Sequence, residues 1–260
     1  MLKYLTKLNM SIVINGTTIN YITDKSFFKK VGEGKWEQQT FKIIDQYFDK
    51  DKLFLDIGSW NGITSLYASS KYKKVISIEA DPKAIQKFNM NLSVNNIDNI
   101  TLIPKALSDS VGKTIFGGNG YLGNSESTLL VGDNYFIDKG GDVTRGTSIN
   151  TKQYRTGKLV EVETIDINSL VDYLDIPIGL VKIDIEGGEK IVIPNMISFL
   201  ENWKCAVLLS LHWVFLTLDD IKQILDNLFN IYPNCYHKGK RVDKQQIIDR
   251  KITSILLTYS

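Results

Sequence analysis

The sequence has only 2 cysteines and 2 histidines among its 260 residues. Cys205 and Cys235 lack the spacing of a metal site and form no disulfide framework, so we expect a reducing compartment and predict a cytoplasmic protein. Long apolar runs are also absent. The most apolar uncharged stretch, residues 205–218, contains polar side chains and is too short to span a bilayer, and the first ten residues lack the apolar segment of a signal peptide.

A large excess of charge of either sign is missing as well. The net charge is +2, and most basic residues are lysines, because arginine occurs only at positions 145, 155, 241 and 250. Surfaces that bind nucleic acid usually cluster arginine and lysine on one face, so we predict that nucleic acid is not a partner. What the chain does have is apolar content: 43% of its residues are hydrophobic, enough for one large α/β domain with a substantial core.

The stretch from Leu53 to Gly62 carries the clearest functional pattern. It reads Leu-Phe-Leu-Asp-Ile-Gly-Ser-Trp-Asn-Gly, which predicts a buried parallel strand, a turn and the start of a helix. Gly58 permits a tight backbone turn, and Gly62 permits close packing of the helix. Asp56 stands near the carboxyl end of the strand, where open α/β sheets bind ligands. The residues expected to bind a nucleotide-like cofactor are Asp56, Gly58, Ser59, Asn61 and Gly62.

Trp60 decides between two classes of cofactor. Dinucleotide folds use the pattern G-x-G-x-x-G, whose second glycine lets the backbone approach a pyrophosphate. Trp60 occupies that place and would collide with a pyrophosphate, whereas S-adenosylmethionine (SAM) has none. The arrangement D-x-G-x-x-x-G resembles the first motif of class I methyltransferases, in which this turn lies beside the methionyl end of SAM.

A second acid follows at the distance that a nucleoside requires. Residues 74–79 predict a buried strand that ends in Glu79, about 20 residues after Gly58, where a carboxylate accepts both ribose hydroxyls. Asp81, directly before Pro82, is the better cap for the next helix and leaves Glu79 free for the ribose. Ala80 and Ala106, at the ends of this strand and the next, are expected to border the cofactor.

Strands and helices alternate after residue 53 in the order βαβαβ, which is half of a doubly wound α/β sheet. Ahead of them, Asn15-Gly16 predicts a small β-hairpin, and residues 36–48 predict a helix. Glu37 in that helix either faces the cofactor cleft or is a solvated carboxylate near the helix N-terminus. We therefore divide the chain into an N-terminal hairpin extension, residues 1–35, and one main domain, residues 36–260.

Residues 117–158 interrupt the alternation with a composition rich in Gly, Asn, Ser and Thr. An insert of this length in a compact domain is usually either a functional loop or disordered. Because it follows the third strand, it would hang over the ligand-binding edge, and we interpret it as contacting the substrate. Its candidate contacts are Tyr121, Ser125, Ser127 and Arg145.

A second strand that ends in acids and glycines lies at residues 179–189, Gly-Leu-Val-Lys-Ile-Asp-Ile-Glu-Gly-Gly-Glu. Its three carboxylates repel one another unless they bind a cation, share protons or accept N–H bonds. Asp184 is the first candidate for catalysis and Glu186 the second, whereas Glu189 favours the helix N-terminus. His212, at the end of the next strand, serves either as a base near Asp184 or as a packing residue. Mg²⁺ held by Asp184 and Glu186 is an open option, and no metal ligand is assigned.

Together these motifs resemble the FkbM family of SAM-dependent methyltransferases over roughly residues 36–258. The resemblance rests on residues 54–62, the strand with Glu79 and Pro82, residues 106–109, and above all residues 182–189. Gly188 departs from the family pattern, which more often has alanine, and Trp60 is bulkier than the usual residue. The resemblance implies a class I methyltransferase domain with SAM as cofactor, built on a mostly parallel, seven-stranded Rossmann-like sheet whose last strand is antiparallel.

The family resemblance also implies an activity, the O-methylation of a sugar, polysaccharide or natural product, so we expect a hydroxyl-bearing small molecule or glycan as partner. The enzyme has to align the hydroxyl oxygen with the activated methyl group and remove its proton. Glu79 and the turn would fix SAM, and Asp184 or His212 would act as base. Two alternatives remain: an NAD-dependent oxidoreductase, which Trp60 disfavours, and a non-catalytic nucleotide-binding module on the same fold.

Overall fold

The computed structural model describes residues 10–118, 122–123, 125, 127–129, 135–137, 143–145 and 159–259. None of the helices in these ranges is long and apolar enough to cross a membrane. The strands are β1 (Met10–Ile14), β2 (Thr17–Tyr21), β3 (Leu53–Ile57), β4 (Lys74–Ile78), β5 (Ile100–Ile103), β6 (Ala106–Leu107), β7 (Gly112–Gly118), β8 (Ser127–Leu129), β9 (Tyr135–Ile137), β10 (Val143–Arg145), β11 (Val160–Ile165), β12 (Ile178–Ile183), β13 (Ala206–Ser210), β14 (Asn234–His237), β15 (Lys240–Arg241) and β16 (Ser254–Thr258). The helices are α1 (Lys25–Gly32), α2 (Gln38–Gln46), α3 (Ile63–Ser69), α4 (Pro82–Leu92), α5 (Ile167–Val171), α6 (Glu189–Trp203), α7 (Leu218–Ile231) and α8 (Lys244–Asp249).

The main sheet has eight strands in the order β15-β14-β16-β13-β12-β3-β4-β5. The strands from β13 to β5 are parallel, and β16 is antiparallel to both of its neighbours. Strand β3 lies inside the parallel part, and all five of its residues are buried. Leu53, Leu55 and Ile57 pack into one apolar cluster and Phe54 into another, so the central strand is covered on both faces, as its apolar sequence predicts.

Two features of the sheets differ from the predicted seven strands. The two-residue strand β15 pairs with β14 in the C-terminal hairpin and gives the main sheet an eighth strand. A separate four-stranded sheet has the order β6-β11-β7-β8, so β11 does not belong to the main sheet. The sequence favours one strand over residues 100–106, but Pro104 divides it into β5 and β6, because proline has no N–H group for the ladder.

The N-terminal extension begins with a hairpin in which β1 pairs with β2. Asn15 and Gly16 form its turn with φ angles of 44° and 81°, the positive values that a two-residue hairpin turn requires. Ile12 and Ile19 of the hairpin are buried in the same apolar cluster as Phe54 of the central strand. The extension thus shares a core with the main sheet, and the domain boundary at residue 35 stays a prediction.

Gly62 sets how closely α3 and α4 approach each other. It precedes α3 with a φ of 87°, and a Cβ atom at this position would lie 2.3 Å from Cδ2 of Phe88 in α4. Phe88 is fully buried and has no room to move aside. The close packing expected at Gly62 is therefore present, and its partner is helix α4 rather than the strand.

We expect Gly62→Ala to destabilise the fold by about 2–4 kcal/mol, from about 1 kcal/mol for the left-handed backbone and about 1–3 kcal/mol for overpacking. Gly239→Ala is the matched control, since Gly239 has a φ of 76° and no atom within 4 Å of its Cβ position. The control should lose only the backbone penalty, about 1 kcal/mol. Urea unfolding measures both variants, and equal losses would contradict the packing constraint from Phe88.

Candidate active site

A cavity of about 520 Å³ opens at the carboxyl ends of the central parallel strands. Its walls come from the turn after β3, the ends of β4, β12 and β13, the start of α2 and part of the insert. Asp56, Asn61 and Gly62 are not among the residues that line it. The predicted site residues that line the cavity are Gly58, Ser59, Glu79, Ala80, Ala106, Asp184, Glu186 and His212.

Asp56 lies behind the cavity wall. Its side chain is fully buried, and Oδ2 accepts hydrogen bonds from Thr64 Oγ1 at 2.5 Å and Ser65 Oγ at 2.6 Å. Lys182 Nζ lies 3.4 Å from the other oxygen, Oδ1. Asp56 thus ties the first turn of α3 to β12 and supports the turn after β3, so in this arrangement it can act on a ligand only through that turn.

Trp60 and Asn61 connect the turn to other parts of the chain. The Asn61 amide is buried and donates to Asp24 Oδ2 at 3.1 Å. Trp60 has a φ of 47°, which is rare for a bulky side chain, and its ring packs edge-on against Phe27 with 4.5 Å between centroids. The Trp60 Nε1 atom donates to Gly123 O at 3.2 Å. The tryptophan therefore joins the turn to both the N-terminal extension and the insert.

Glu79 lies at the end of β4 and is 7% exposed. Its Oε2 accepts the N–H of Trp60 at 2.7 Å, and its Oε1 accepts the N–H groups of Ala80 and Asp81 at 2.9 Å and 2.7 Å. Burial raises the pKa of Glu79 to about 7, although these donors oppose the rise. Asp81 caps α4, as predicted. Because a carboxylate offers about four acceptor positions, Glu79 keeps one for a ligand.

Lys182 is a buried cation between two strand ends, that of β3 with Asp56 and Gly58 and that of β12 with Asp184. Its Nζ atom lies 3.4 Å from Asp56 Oδ1 and 3.2 Å from Asp184 Oδ2, and donates to Gly58 O at 3.2 Å. Burial alone would lower the pKa of Lys182, but Asp184 and Asp56 raise it above its ordinary value. Lys182 therefore stays charged and holds Asp184 close to Gly58 in the turn after β3.

His212 is surrounded by three carboxylates. Its Nδ1 lies 2.6 Å from Glu189 Oε1, and its Nε2 lies 3.2 Å from Asp184 Oδ1 and 3.3 Å from Glu186 Oε1. Burial alone would lower the pKa of His212, but the three carboxylates raise it far above its ordinary value. The ring is therefore an imidazolium that donates from both nitrogens, and an imidazolium has no lone pair to accept a substrate proton.

The three carboxylates around His212 differ in their hydrogen-bond partners and in the direction in which their surroundings shift the pKa. Glu189 is fully buried at the start of α6 and accepts two backbone N–H groups of the preceding turn, at 3.3 Å and 2.8 Å. Burial alone would raise the pKa of Asp184, but Lys182 and His212 hold it well below its usual range. Burial raises the pKa of Glu186, and His212 offsets only part of that rise. Of the two carboxylates that contact His212 Nε2, Asp184 and Glu186, Glu186 is thus the more basic.

Asp184, Glu186 and His212 could also hold a metal ion. One ligand atom of each residue lies within 4.8 Å of the others. Carboxylate oxygens suit Mg²⁺, and imidazole nitrogen suits transition metals. A cation bound to all three would have to displace the Nε2 proton of His212. The metal option that the sequence leaves open therefore stays open.

The insert reaches the cavity at two of its four candidate contacts, Ser125 and Ser127. Ser127 Oγ donates to Asp81 Oδ2 at 2.6 Å, which ties this part of the insert to the cap of α4. Tyr121 lies outside the described residues, and of Arg145 only the backbone, in β10, is described.

Sequence reasoning gave no role to Lys182 and left the orientation of Glu37 undecided. Lys182 precedes Asp184 by two residues, and side chains two apart in a strand share a face, so the alternation itself could have paired them. Glu37 lines the cavity, next to α2. No pattern in the sequence indicates that orientation, because a helix start can turn its first acid either way.

Comparison with known proteins gives matches of three kinds. A model of the methyltransferase FkbM domain matches residues 55–234. A ribosomal protein L11 methyltransferase from Clostridium perfringens is 33% identical over 81 residues, which make up 31% of this chain and 26% of that protein. Among solved structures, methyltransferase FkbM from Methylobacillus flagellatus KT has 16% identity and a TM-score of 0.45, and the match covers 81% of this chain and 44% of that one. An rRNA methylase from Streptococcus thermophilus has 11% identity and a TM-score of 0.45, with 85% and 92% covered.

These matches correct one prediction and confirm another. The composition led us to exclude nucleic acid as a partner, and that exclusion was wrong, because the curated match is by name a methyltransferase of a ribosomal protein. The curated relative is matched over only 26% of its length. The domain model, in contrast, covers well over half of this chain, which sets aside the NAD-dependent oxidoreductase. The chain belongs to the FkbM family of methyltransferases.

Proposed function

We propose that this chain transfers a methyl group from SAM to a hydroxyl oxygen. One observation carries the proposal: a single cavity contains Glu79 on one side of the turn at Gly58 and the cluster of Asp184, Glu186 and His212 on the other. A nucleoside site and a group of proton-handling side chains thus share one space, as a methyl transfer between a nucleoside and an acceptor requires.

The cavity residues fit SAM in polarity and in charge. Glu79 keeps an acceptor position for one ribose hydroxyl, and Ala80 and Ala106 offer small apolar surfaces for the adenine. Asp184 and Glu186 give the far side of the turn a negative wall, which suits a ligand that carries positive charge. When bound, SAM supplies a methyl group that its positively charged sulfur activates for transfer.

Glu186 is assigned as the proton acceptor for the substrate hydroxyl. Its raised pKa makes it a stronger base than Asp184, which was the first candidate from the sequence. The imidazolium of His212, held by Glu189, fixes the Glu186 carboxylate, and Lys182 holds Asp184 beside it. His212 serves here as a hydrogen-bond donor and not as the base.

The acceptor is proposed from the family resemblance as a hydroxyl of a sugar, polysaccharide or natural product. The names of the matched proteins add nucleic acid and protein as acceptors to be tested. A screen of glycans, hydroxylated small molecules, RNA and ribosomal proteins, scored by release of S-adenosylhomocysteine, tests the proposal. Turnover only with nitrogen acceptors would contradict O-methylation, and binding of SAM without turnover of any acceptor would favour the non-catalytic module.

Glu79→Ala tests the ribose site. We expect it to weaken binding of SAM and of S-adenosylhomocysteine by about tenfold or more, because a hydrogen bond to a charged group contributes about 1.5–3 kcal/mol. Glu161→Ala is the control, since Glu161 lies in β11 with a side chain that is 58% exposed. Titration calorimetry gives the affinities and thermal melting verifies folding. An unchanged affinity in folded Glu79→Ala would remove the ribose assignment.

Glu186→Gln tests the base. It should lower kcat by about 10²- to 10⁴-fold, since general base catalysis contributes a factor of that size, and leave the Kd for S-adenosylhomocysteine, which lacks the positive sulfur, within about twofold. Glu201→Gln, an exposed position near the end of α6, is the control. If Glu186→Gln turns over normally while Asp184→Asn does not, the base is Asp184. If both variants turn over at the wild-type rate, neither carboxylate is the base.

The stability of the fold should report the charge of His212. A histidine whose pKa is raised by folding contributes stability that is complete below its unfolded pKa, about 6.5, and is lost as the pH rises toward the folded value. Between pH 7 and 8.5 the wild-type free energy of unfolding should therefore fall by up to about 1.4 kcal/mol per pH unit. His212→Gln should have a smaller slope. Urea unfolding across this range measures both proteins, and equal slopes for wild type and His212→Gln would refute the imidazolium.

A further inference from the structure

Glu37 is a cavity-lining acid without a part in the reaction described above. It lies outside residues 55–234, so membership of the family assigns nothing to it. Glu37 occupies the N-cap position of α2, yet its side chain makes no hydrogen bond to the backbone N–H groups of the first turn of that helix. Its carboxylate instead lines the cavity and accepts one hydrogen bond, from Thr40 Oγ1 at 3.1 Å.

No basic side chain forms an ion pair with Glu37 among the residues that the structure describes. Lys182 and His212 attract it from a distance, but both contact other carboxylates. Enclosure by the cavity wall, together with the charge of Asp184, raises the pKa of Glu37. The residue is nevertheless exposed, so a cationic ligand group can reach it without displacing a protein partner.

Glu37 lines the same cavity as Lys182, Asp184 and His212, and all three are near enough for their charges to act on it. All three lie in or directly after β12 and β13. Glu79 lies on the other side of Gly58, because β3 separates β4 from β12 in the sheet. A nucleoside whose ribose binds Glu79 would therefore extend past Gly58 and bring its far end toward Glu37.

We propose that Glu37 binds the α-ammonium group at the methionyl end of SAM. The inference rests on the proposed function and deepens it by assigning the amino-acid end of the ligand. SAM carries two cationic groups in that part of the molecule, and they differ in chemistry. An ammonium group donates three hydrogen bonds, whereas a sulfonium donates none, so a carboxylate with free acceptor positions selects the ammonium. Asp184 and Glu186 remain available to the acceptor hydroxyl.

The test compares two nucleosides that differ only beyond the thioether sulfur. S-adenosylhomocysteine has the amino-acid end, and 5′-methylthioadenosine lacks it. Neither carries the sulfonium, so a difference between them reports the amino-acid end alone. Glu37→Gln should weaken S-adenosylhomocysteine by about tenfold or more and change the affinity for 5′-methylthioadenosine by less than about twofold. Glu33→Gln, the same change four residues away outside the cavity, should leave both affinities unchanged.

Titration calorimetry on the full chain gives these affinities. Equal losses for the two nucleosides would overturn the proposal, because Glu37 would then affect the nucleoside site in general. An unchanged affinity for S-adenosylhomocysteine combined with a lower kcat would also overturn it and would place Glu37 on the acceptor side. If wild type binds neither nucleoside, the proposed function itself fails, so the two failures are distinguishable.

A second variant covers the case in which Glu37→Gln does not fold. Glu37→Asp keeps the charge and shortens the side chain by one methylene group. It should weaken S-adenosylhomocysteine selectively as well, by less than Glu37→Gln, because the carboxylate is still present but further away. Thermal melting of each variant verifies the fold before binding is measured. A selective loss in neither folded variant would overturn the proposal.

Discussion

The buried ammonium group of Lys182 holds the carboxyl ends of strands β3 and β12 together. It contacts Asp56 in β3, the carbonyl of Gly58 in the turn after β3, and Asp184 directly after β12. A side chain that is 5% exposed remains charged only when such partners replace its hydration. The partners in turn depend on it, since Asp56 Oδ1 has no hydrogen-bond donor and has this cation as its ionic partner. Removing the charge would leave the buried Asp56 without a cation and Asp184 with His212 as its remaining ionic partner.

The backbone makes the same connection by steric fit. A Cβ atom at Gly58 would lie 1.8 Å from the carbonyl oxygen of Asp184, so the two strand ends approach each other more closely than side chains permit. Gly58 has a φ of 82° and could not carry a larger residue without strain in any case. The turn at Gly58 and the strand end at Asp184 thus have one fixed relative position, which the proposed transfer requires for aligning a methyl donor with an acceptor oxygen.

Much of this arrangement follows from the sequence. An apolar run that ends in an acid and a glycine predicts a buried strand and a ligand-binding turn, and the distance to Glu79 predicts its strand end. The sequence could not show which side chains of the motif face the cavity. Asp56 and Asn61 belong to the same motif as Gly58, yet both are buried behind the wall, because helix α3 and the N-terminal extension offer them hydroxyl and carboxylate partners. Those partners are set by tertiary packing, which local patterns do not contain.

Local sequence patterns could not predict the charge of His212, for a similar reason. A histidine at a strand end reads as a base when one acid is nearby, but here Glu189 reaches it from the start of α6 and adds a third carboxylate. The proposed transfer makes use of that excess of negative charge. A positive sulfur and a carboxylate are present at the outset, and after transfer of methyl and proton both are neutral. Cancelling two opposite charges is favoured where burial limits solvation, and the imidazolium, paired throughout, leaves that balance unchanged.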